Sequence, residues 1–505
     1  MPFPDWICSK RYIHIDMPIV NKEDKIRVCK YVTDANSIKQ HSFLPLIRRK
    51  IYSYPYKCID GTTKKKIKRK LRNITFASHI DASIMSFYGK KLSAMYEKFL
   101  KENNISDEVS AYRKIKKLEG EGNKCNIDIA YEVFKYIRDN VLINNSVGVI
   151  TFDIKGFFDN LDHKIIKKTW KKIMGYAVMP DDVYNVYKNI VKYSFVYETE
   201  LFDHCKDNLI SANGSRQKCK SIKYLKDKNI IAYCNKDDIK VIRHKGLIRQ
   251  RKKNDNAGIP QGLPISAILA NVYMSDFDVA VKTFMSKING IYRRYSDDII
   301  VVCPKNELEN CRVFIMNEIN SVNLEIERQK TNSFIFKKNS NDNIECVFVK
   351  NDGNESLTKK LVYLGFSFDG NNILLKDACV GKFYNKMHRR VKRSIYWGVH
   401  INNKTVGKMF EHKLIKKFTF AGAKTHMKRK RNSEGKFEET KEKSYGNFLS
   451  YVNKSALVMN DRKIERQLRR CTNKLKKEIA QGKMHIAEGI YKIAIEQIKK
   501  YGRIY

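Results

Sequence analysis

At 505 residues with 42% hydrophobic content, the chain can bury a large core in about two to four domains, which excludes general disorder. The 99 Lys and Arg against 54 Asp and Glu leave a net charge of +45, which points to a polyanionic partner, nucleic acid above all, bound with salt-sensitive affinity. No apolar run reaches membrane-spanning length, the first ten residues carry no secretory signal, and the 12 Cys lack any Cys-x-x-Cys pair, so a cytoplasmic protein with reduced thiols and no membrane partner is expected.

Residues 1–60 mix short apolar runs with Pro2, Pro4, Pro18, Pro45 and Pro55 and read as an irregular extension with one or two helices. Residues 64–72 form a dense cationic run. Its first part, 64–68, reads as a solvated face. Arg72 directly precedes a strand over 73–77, where its direction is fixed and it can hold phosphate bidentately. Ser78 or Asp81 caps a helix over 82–102, and a second helix is expected over 129–140. Residues 147–153 are a strongly apolar strand ending in Asp153. An Asp at the carboxyl end of a buried strand is a frequent metal ligand, whereas helix capping fits Asp159 or Asp162 better.

Pro180 opens a helix reaching Ser194. The polar, Lys-rich stretch 199–255 reads as an extended hairpin or loop insertion. Residues 257–266 hold two Gly and two Pro in a tightly fixed turn, and a helix over 266–285 follows. Residues 291–303 read as strand, turn, strand, with Ser296-Asp297-Asp298 at the tip. Adjacent carboxylates repel, so this tip either holds a cation or is a solvated turn. A helix over 307–321 and strands over 323–327, 334–336, 346–349 and 362–368 come next. From about Cys379 the chain turns basic, with helices over 383–397, 404–420 and 462–483 and a charged loop over 424–443.

A sheet of β-α-β-β type would place Asp153 beside Asp297. Carboxylates from two strands can bridge divalent ions about 4 Å apart, and magnesium suits such a site when phosphate oxygens complete it. The chemistry is in-line phosphoryl transfer. No Cys or His nucleophile arrangement accompanies these residues, which argues against acyl transfer.

Five stretches, in order, resemble the motifs of reverse transcriptases: residues 149–163; the Pro260-Gln261-Gly262 loop; Tyr295-Ser296-Asp297-Asp298; Lys330-Thr331; and Tyr363-Leu364-Gly365-Phe366. The resemblance covers roughly residues 65–370. It implies an α+β right-hand polymerase, with fingers over 61–148, a palm over 149–370 interrupted by an insertion at about 199–256, and a basic helical thumb-like domain over 371–505. Residues 77–81, 111–113, 125–128 and 445–451 are most similar to bacterial reverse transcriptases of the unknown-group, abortive-infection and defence-associated type.

The resemblance further implies that Asp153, Asp297 and Asp298, with Ile154 beside the first, hold two Mg2+ ions, with Mn2+ as an alternative. Arg72 would grip the triphosphate. Phe158 would exclude a ribose 2′-hydroxyl, Gln261 and Tyr295 would contact the nucleotide, and Lys330 would protonate pyrophosphate. Tyr363 to Phe366 would support the primer end. The partners implied are a noncoding RNA template, a DNA product, deoxynucleoside triphosphates and, in some relatives, further copies of the chain. Two other readings stand beside RNA-templated synthesis in phage defence: template-independent, protein-primed DNA synthesis, and a non-catalytic RNA-binding or splicing protein. Ser296 departs from the Ala, Val or Met common at its position, and no zinc endonuclease or RNase H set follows Phe368.

Overall fold

The computed structural model describes residues 3–53, 56–58, 65–67, 70–117, 121–251, 255–350, 353–400, 406–432 and 435–501. The cationic run expected over 64–68 lies outside the described side chains. Helices and small sheets alternate in an α+β arrangement. The chain divides into two compact units, Met1–Arg113 with Ile150–Thr331, and Lys114–Val149 with Asn332–Tyr505.

In the first unit, a four-stranded sheet runs in the order Arg249–Gln250, Ser194–Tyr197, Leu46–Ser53, Lys70–Phe76. The helix His79–Glu102 starts where Ser78 accepts from the Asp81 N–H at 3.1 Å. It buries Ile84, Tyr88, Leu92, Tyr96 and Leu100, a stripe at four-residue spacing, in the main core. Asp81, the alternative cap, instead accepts from the Leu44 N–H at 2.9 Å and pairs with His41 at 2.8 Å, tying the N-terminal segment to this helix. The single helix expected over 266–285 is two, Ser266–Tyr273 and Ser275–Lys287. Between them the Met274 N–H turns back to the Asn271 carbonyl, three residues away, and tightens the chain out of α-helical geometry.

Two further expectations are corrected in this unit. Residues 199–255 are a folded segment rather than an extended hairpin or loop. They hold the helix Glu198–Cys205, the helix Ile239–His244 and a three-stranded sheet, around a separate core that includes Leu201, Phe202, Leu209, Tyr233 and Ile242. The strand expected over 323–327 reduces to one bridge between Ile154 and Ile326, because this segment spends its hydrogen bonds on the end of the Asp153 strand. The Glu327 N–H donates to the Asp153 carbonyl at 2.7 Å, and the Lys155 N–H donates to the Glu325 carbonyl at 2.9 Å.

In the second unit, Asn332–Lys338 and Ile344–Val349 form an antiparallel pair. The strand expected over 362–368 is a hairpin instead. Leu361–Tyr363 and Phe366–Phe368 pair antiparallel around Leu364-Gly365, both with positive φ, 44° and 93°, the signature of a two-residue turn that matches strand twist. The helix Asn126–Asn144 begins earlier than its apolar periodicity suggests, since Asp128 accepts from the Cys125 N–H at 2.8 Å and fixes the first turn. The Asn126 amide donates to the Leu364 carbonyl at 3.2 Å and to the Tyr451 hydroxyl at 2.9 Å. Three separate sequence stretches thus meet at one hairpin tip.

The charged loop expected over 424–443 is an antiparallel hairpin, His426–Arg431 with Phe437–Ser444. Opposite charges across the strands account for it: Lys428 with Glu442 at 2.9 Å and Arg429 with Glu439 at 3.0 Å. The basic helices are Asp377–Val399, Glu411–Phe418, Lys463–Arg466 and Cys471–Tyr501. Among the described residues no helix is long and apolar enough to cross a membrane.

Candidate active site

The acidic hairpin pairs Ile291–Tyr295 with Asp298–Cys303, and Tyr295 lies opposite Asp298. Ser296 and Asp297 are therefore a two-residue turn. Ser296 takes φ 62°, a position where glycine is usual. Strand alternation puts Tyr292 and Arg294 on one face, and both are buried, as is Ser296 in the turn. The Arg294 side chain, fully buried, donates from Nε to Asp278 Oδ1 at 2.7 Å and from Nη2 to Oδ2 at 2.6 Å. Its Nη1 reaches Asn271 Oδ1 at 3.2 Å and the Ser296 carbonyl at 3.3 Å. The Tyr292 hydroxyl adds a bond to Asp278 at 2.6 Å. Burial alone would lower the Arg294 pKa, but the Asp278 carboxylate outweighs it and holds the guanidinium above its ordinary value. A buried, bidentate ion pair thus anchors the strand below the turn and bonds directly to the turn's backbone.

Asp153 ends the strand Ser146–Asp153, which neighbours Asp298–Cys303 in the sheet. The Ile154 N–H donates to the Asp297 carbonyl at 3.2 Å, so the two acids stand at adjacent strand ends. Lys330 Nζ forms an ion pair with Asp153 Oδ2. The loop with Gln261 is stitched in from two sides. The Thr75 N–H and hydroxyl donate to the Gln261 carbonyl at 2.8 and 3.0 Å, and the Ile259 N–H donates to the Phe158 carbonyl at 2.8 Å. Glycine is required twice here. At Gly258 (φ 95°) a Cβ would run into the Asp159 carbonyl, and at Gly262 (φ 112°) into that of Thr75. His163 Nε2 lies 2.9 Å from the Gly258 carbonyl. Burial pulls its pKa below the usual value, and with a carbonyl partner Nε2 carries the proton.

The result is one cleft of about 490 Å³ lined by Arg72, Asp153, Ile154, Phe158, Gln261, Asp297 and Lys330. The Phe158 ring meets Phe157 edge-on at 5.6 Å, and Arg72 is exposed at the rim. Asp298 is exposed and Tyr295 half-buried on the hairpin, and neither is part of this lining. The cleft also contains Glu327 and Lys155, which the sequence reading passed over; Lys155 is paired with Glu325 at 3.0 Å. Their only sequence signal is charge beside a strand end.

Among the described residues no three His, Cys, Asp or Glu side chains already converge into a metal cage. The donor set nevertheless fits a hard divalent cation. Magnesium is usually held by one or two carboxylates plus substrate phosphates rather than by an all-protein shell, and Asp153 and Asp297 both line a cleft with an exposed Arg at its rim.

Residues 215–368 match the family described as reverse transcriptase (RNA-dependent DNA polymerase). The matched span holds Gln261, Asp297, Asp298 and Lys330. Arg72, Asp153 and Phe158 precede it, and the fold brings them into the same cleft. No curated protein matches the chain. Among solved structures, a truncated apo telomerase from Candida tropicalis is similar at 11% identity and TM-score 0.35, covering 65% of this chain and 57% of its own. A Candida albicans telomerase in complex with a TWJ fragment of telomeric RNA is similar at 12% identity and TM-score 0.36, covering 94% and 68%. The chain thus spans 57% of the first of these relatives.

Proposed function

We propose that this protein is a reverse transcriptase that extends DNA on a partner noncoding RNA by two-metal phosphoryl transfer. The observation that carries the reading is the single cleft where Asp153 and Asp297 lie with Arg72, Phe158, Gln261 and Lys330, inside a chain whose 215–368 segment matches that family. Arg72 binds the triphosphate, and Gln261, pinned through its own carbonyl, orients the nucleotide. Phe158, on the cleft wall, excludes a ribose 2′-hydroxyl in this reading. Lys330, beside Asp153, gives a proton to the leaving pyrophosphate. Two Mg2+ ions, or Mn2+, held by Asp153, Asp297, Asp298 and the Ile154 backbone, would supply activation of the attacking hydroxyl and neutralisation of the leaving group. The net charge of +45 supports an RNA partner. The resemblance carried by residues 77–81, 111–113, 125–128 and 445–451 supports a role in cytoplasmic antiviral defence.

The test is to purify the full chain with its bound RNA, supply deoxynucleotides with Mg2+ or Mn2+, and sequence both nucleic acids. DNA complementary to the bound RNA is the expected product. DNA of unrelated sequence joined covalently to a tyrosine would replace this reading with untemplated, protein-primed synthesis. RNA binding without any DNA product would leave a non-catalytic RNA-binding protein.

Phe158→Ala gives a narrower check. Removing the ring opens room for one oxygen, so the preference for deoxy- over ribonucleotides, measured as the ratio of kcat/KM values, should fall about a hundredfold. An unchanged ratio would return Phe158 to a purely structural role.

A further inference from the structure

Tyr112 is 55% exposed and holds a left-handed backbone, φ 63°, a conformation disfavoured for any residue with a Cβ. Its neighbours enforce that geometry. The Ser110 N–H donates to the Arg294 carbonyl at 3.0 Å, and the Arg294 N–H donates to the Glu108 carbonyl at 2.7 Å. The Asn271 amide donates to the Ala111 carbonyl at 2.8 Å. Arg113 clamps Glu97 through two bonds of 2.7 Å and donates to the Ser106 carbonyl at 2.6 Å. The segment is thereby added to the edge of the acidic hairpin, and it delivers the Tyr112 hydroxyl to 3.3 Å from Ser296 Oγ. Ser296 is only 3% exposed, and the next residue, Asp297, lines the cleft. An exposed aromatic side chain is thus held, against its backbone preference, over the turn that carries the acidic pair.

The cleft reaches the hairpin at Asp297 and does not include Tyr112. In-line transfer sets the attacking hydroxyl opposite the leaving pyrophosphate. With Arg72 and Lys330 assigned to the phosphates in that reading, the hairpin side of Asp297 is left for the attacking strand, and the exposed Tyr112 lies beside the turn there. The terminal base keeps one face on its neighbour and the other for the incoming nucleotide, so the ring is left the deoxyribose, an apolar contact made without regard to sequence.

We propose that Tyr112 is the docking platform for the 3′-terminal nucleoside of the growing strand. Its ring packs against that nucleoside, and its hydroxyl, against Ser296, sets the ring over the turn. This inference rests on the polymerase reading and adds a contact to the strand end rather than to the incoming nucleotide.

The experiment uses the full chain and a fluorescein-labelled DNA primer annealed to an RNA template, with Tyr112→Gly, Tyr112→Ala and Tyr112→Phe. Loss of one buried aromatic contact corresponds to roughly 10- to 150-fold in affinity. Tyr112→Gly and Tyr112→Ala should raise the KM for primer–template about tenfold or more and leave the KM for deoxynucleotide unchanged. Tyr112→Phe should keep most of the affinity. The thermal midpoint of Tyr112→Gly should not fall below that of the wild type, because glycine suits the left-handed backbone. A primer–template KM unchanged in Tyr112→Gly would overturn the proposal, as would a fall in thermal midpoint that tracks the loss of activity. Should the wild type incorporate no nucleotide on any template, the polymerase reading falls. Fluorescence anisotropy without divalent ions then decides Tyr112 separately: equal affinity of wild type and Tyr112→Gly for the recessed 3′ end overturns it, and weaker binding by the variant supports it.

Discussion

Asp153→Asn is expected to lower nucleotide incorporation by about a thousandfold or more while leaving the fold intact. The substitution keeps the side chain's shape and removes its charge. Under the two-metal reading this removes several kcal/mol of charge stabilisation, and each ~1.4 kcal/mol is tenfold in rate. The cost to stability is small. The carboxylate pairs with Lys330, whose side chain is 55% exposed against 19% for Asp153, and an ion pair open to solvent on one side contributes about 1 kcal/mol. The backbone bond from the Glu327 N–H to the Asp153 carbonyl does not depend on the side chain. Single-nucleotide incorporation and a urea unfolding midpoint, measured on the same preparation, separate the two effects. Retention of more than about a tenth of the activity would remove Asp153 from the reaction, and a large drop in midpoint would make its role structural.

The place of Asp153 at a strand end was legible because an acid closing the apolar strand Ser146–Asp153 breaks the burial pattern, and the hairpin because β-branched runs flank Ser296-Asp297-Asp298. Both signals are local. The sequence could not show that Tyr112, 184 residues from Ser296, would reach over its turn, because a long-range contact leaves no periodicity. Residues 199–255 were misread for a different reason. Surface lysines dominate the composition there, while Leu201, Leu209 and Ile242, spaced irregularly, make the core. Over 362–368 the apolar run reads as one strand, and only the Leu364-Gly365 pair with positive φ divides it. Over 424–443 the cationic side is obvious, but the acids Glu439 and Glu442 that pair with it become informative only once a hairpin register is known. Patterning therefore located strands and acids, whereas charge pairing across elements had to be seen in three dimensions.

The Arg294–Asp278 pair is the clearest case, and it leads to the largest expected stability effect. Arg294→Met should lower unfolding free energy by about 3–5 kcal/mol, the usual cost of leaving one member of a buried ion pair alone. Here the orphan would be Asp278, whose side chain is 0% exposed and which, among the described residues, would keep the Tyr292 hydroxyl as its side-chain hydrogen-bond partner. Asp278→Asn should cost less, since an amide oxygen can still accept from Arg294 and Tyr292. The double variant Arg294→Met, Asp278→Leu should regain most of the loss, because apolar replacement of both partners is often neutral or stabilising. Activity should not return with stability. Arg294 Nη1 also bonds the Ser296 carbonyl at 3.3 Å, and neither Met nor Leu can hold the turn that sets Asp297 and Asp298. Urea midpoints for the three variants, read beside nucleotide incorporation, test both halves. Equal midpoints for Arg294→Met and wild type would show that the pair does not anchor the hairpin, and full activity in the double variant would show that the turn holds its geometry without it.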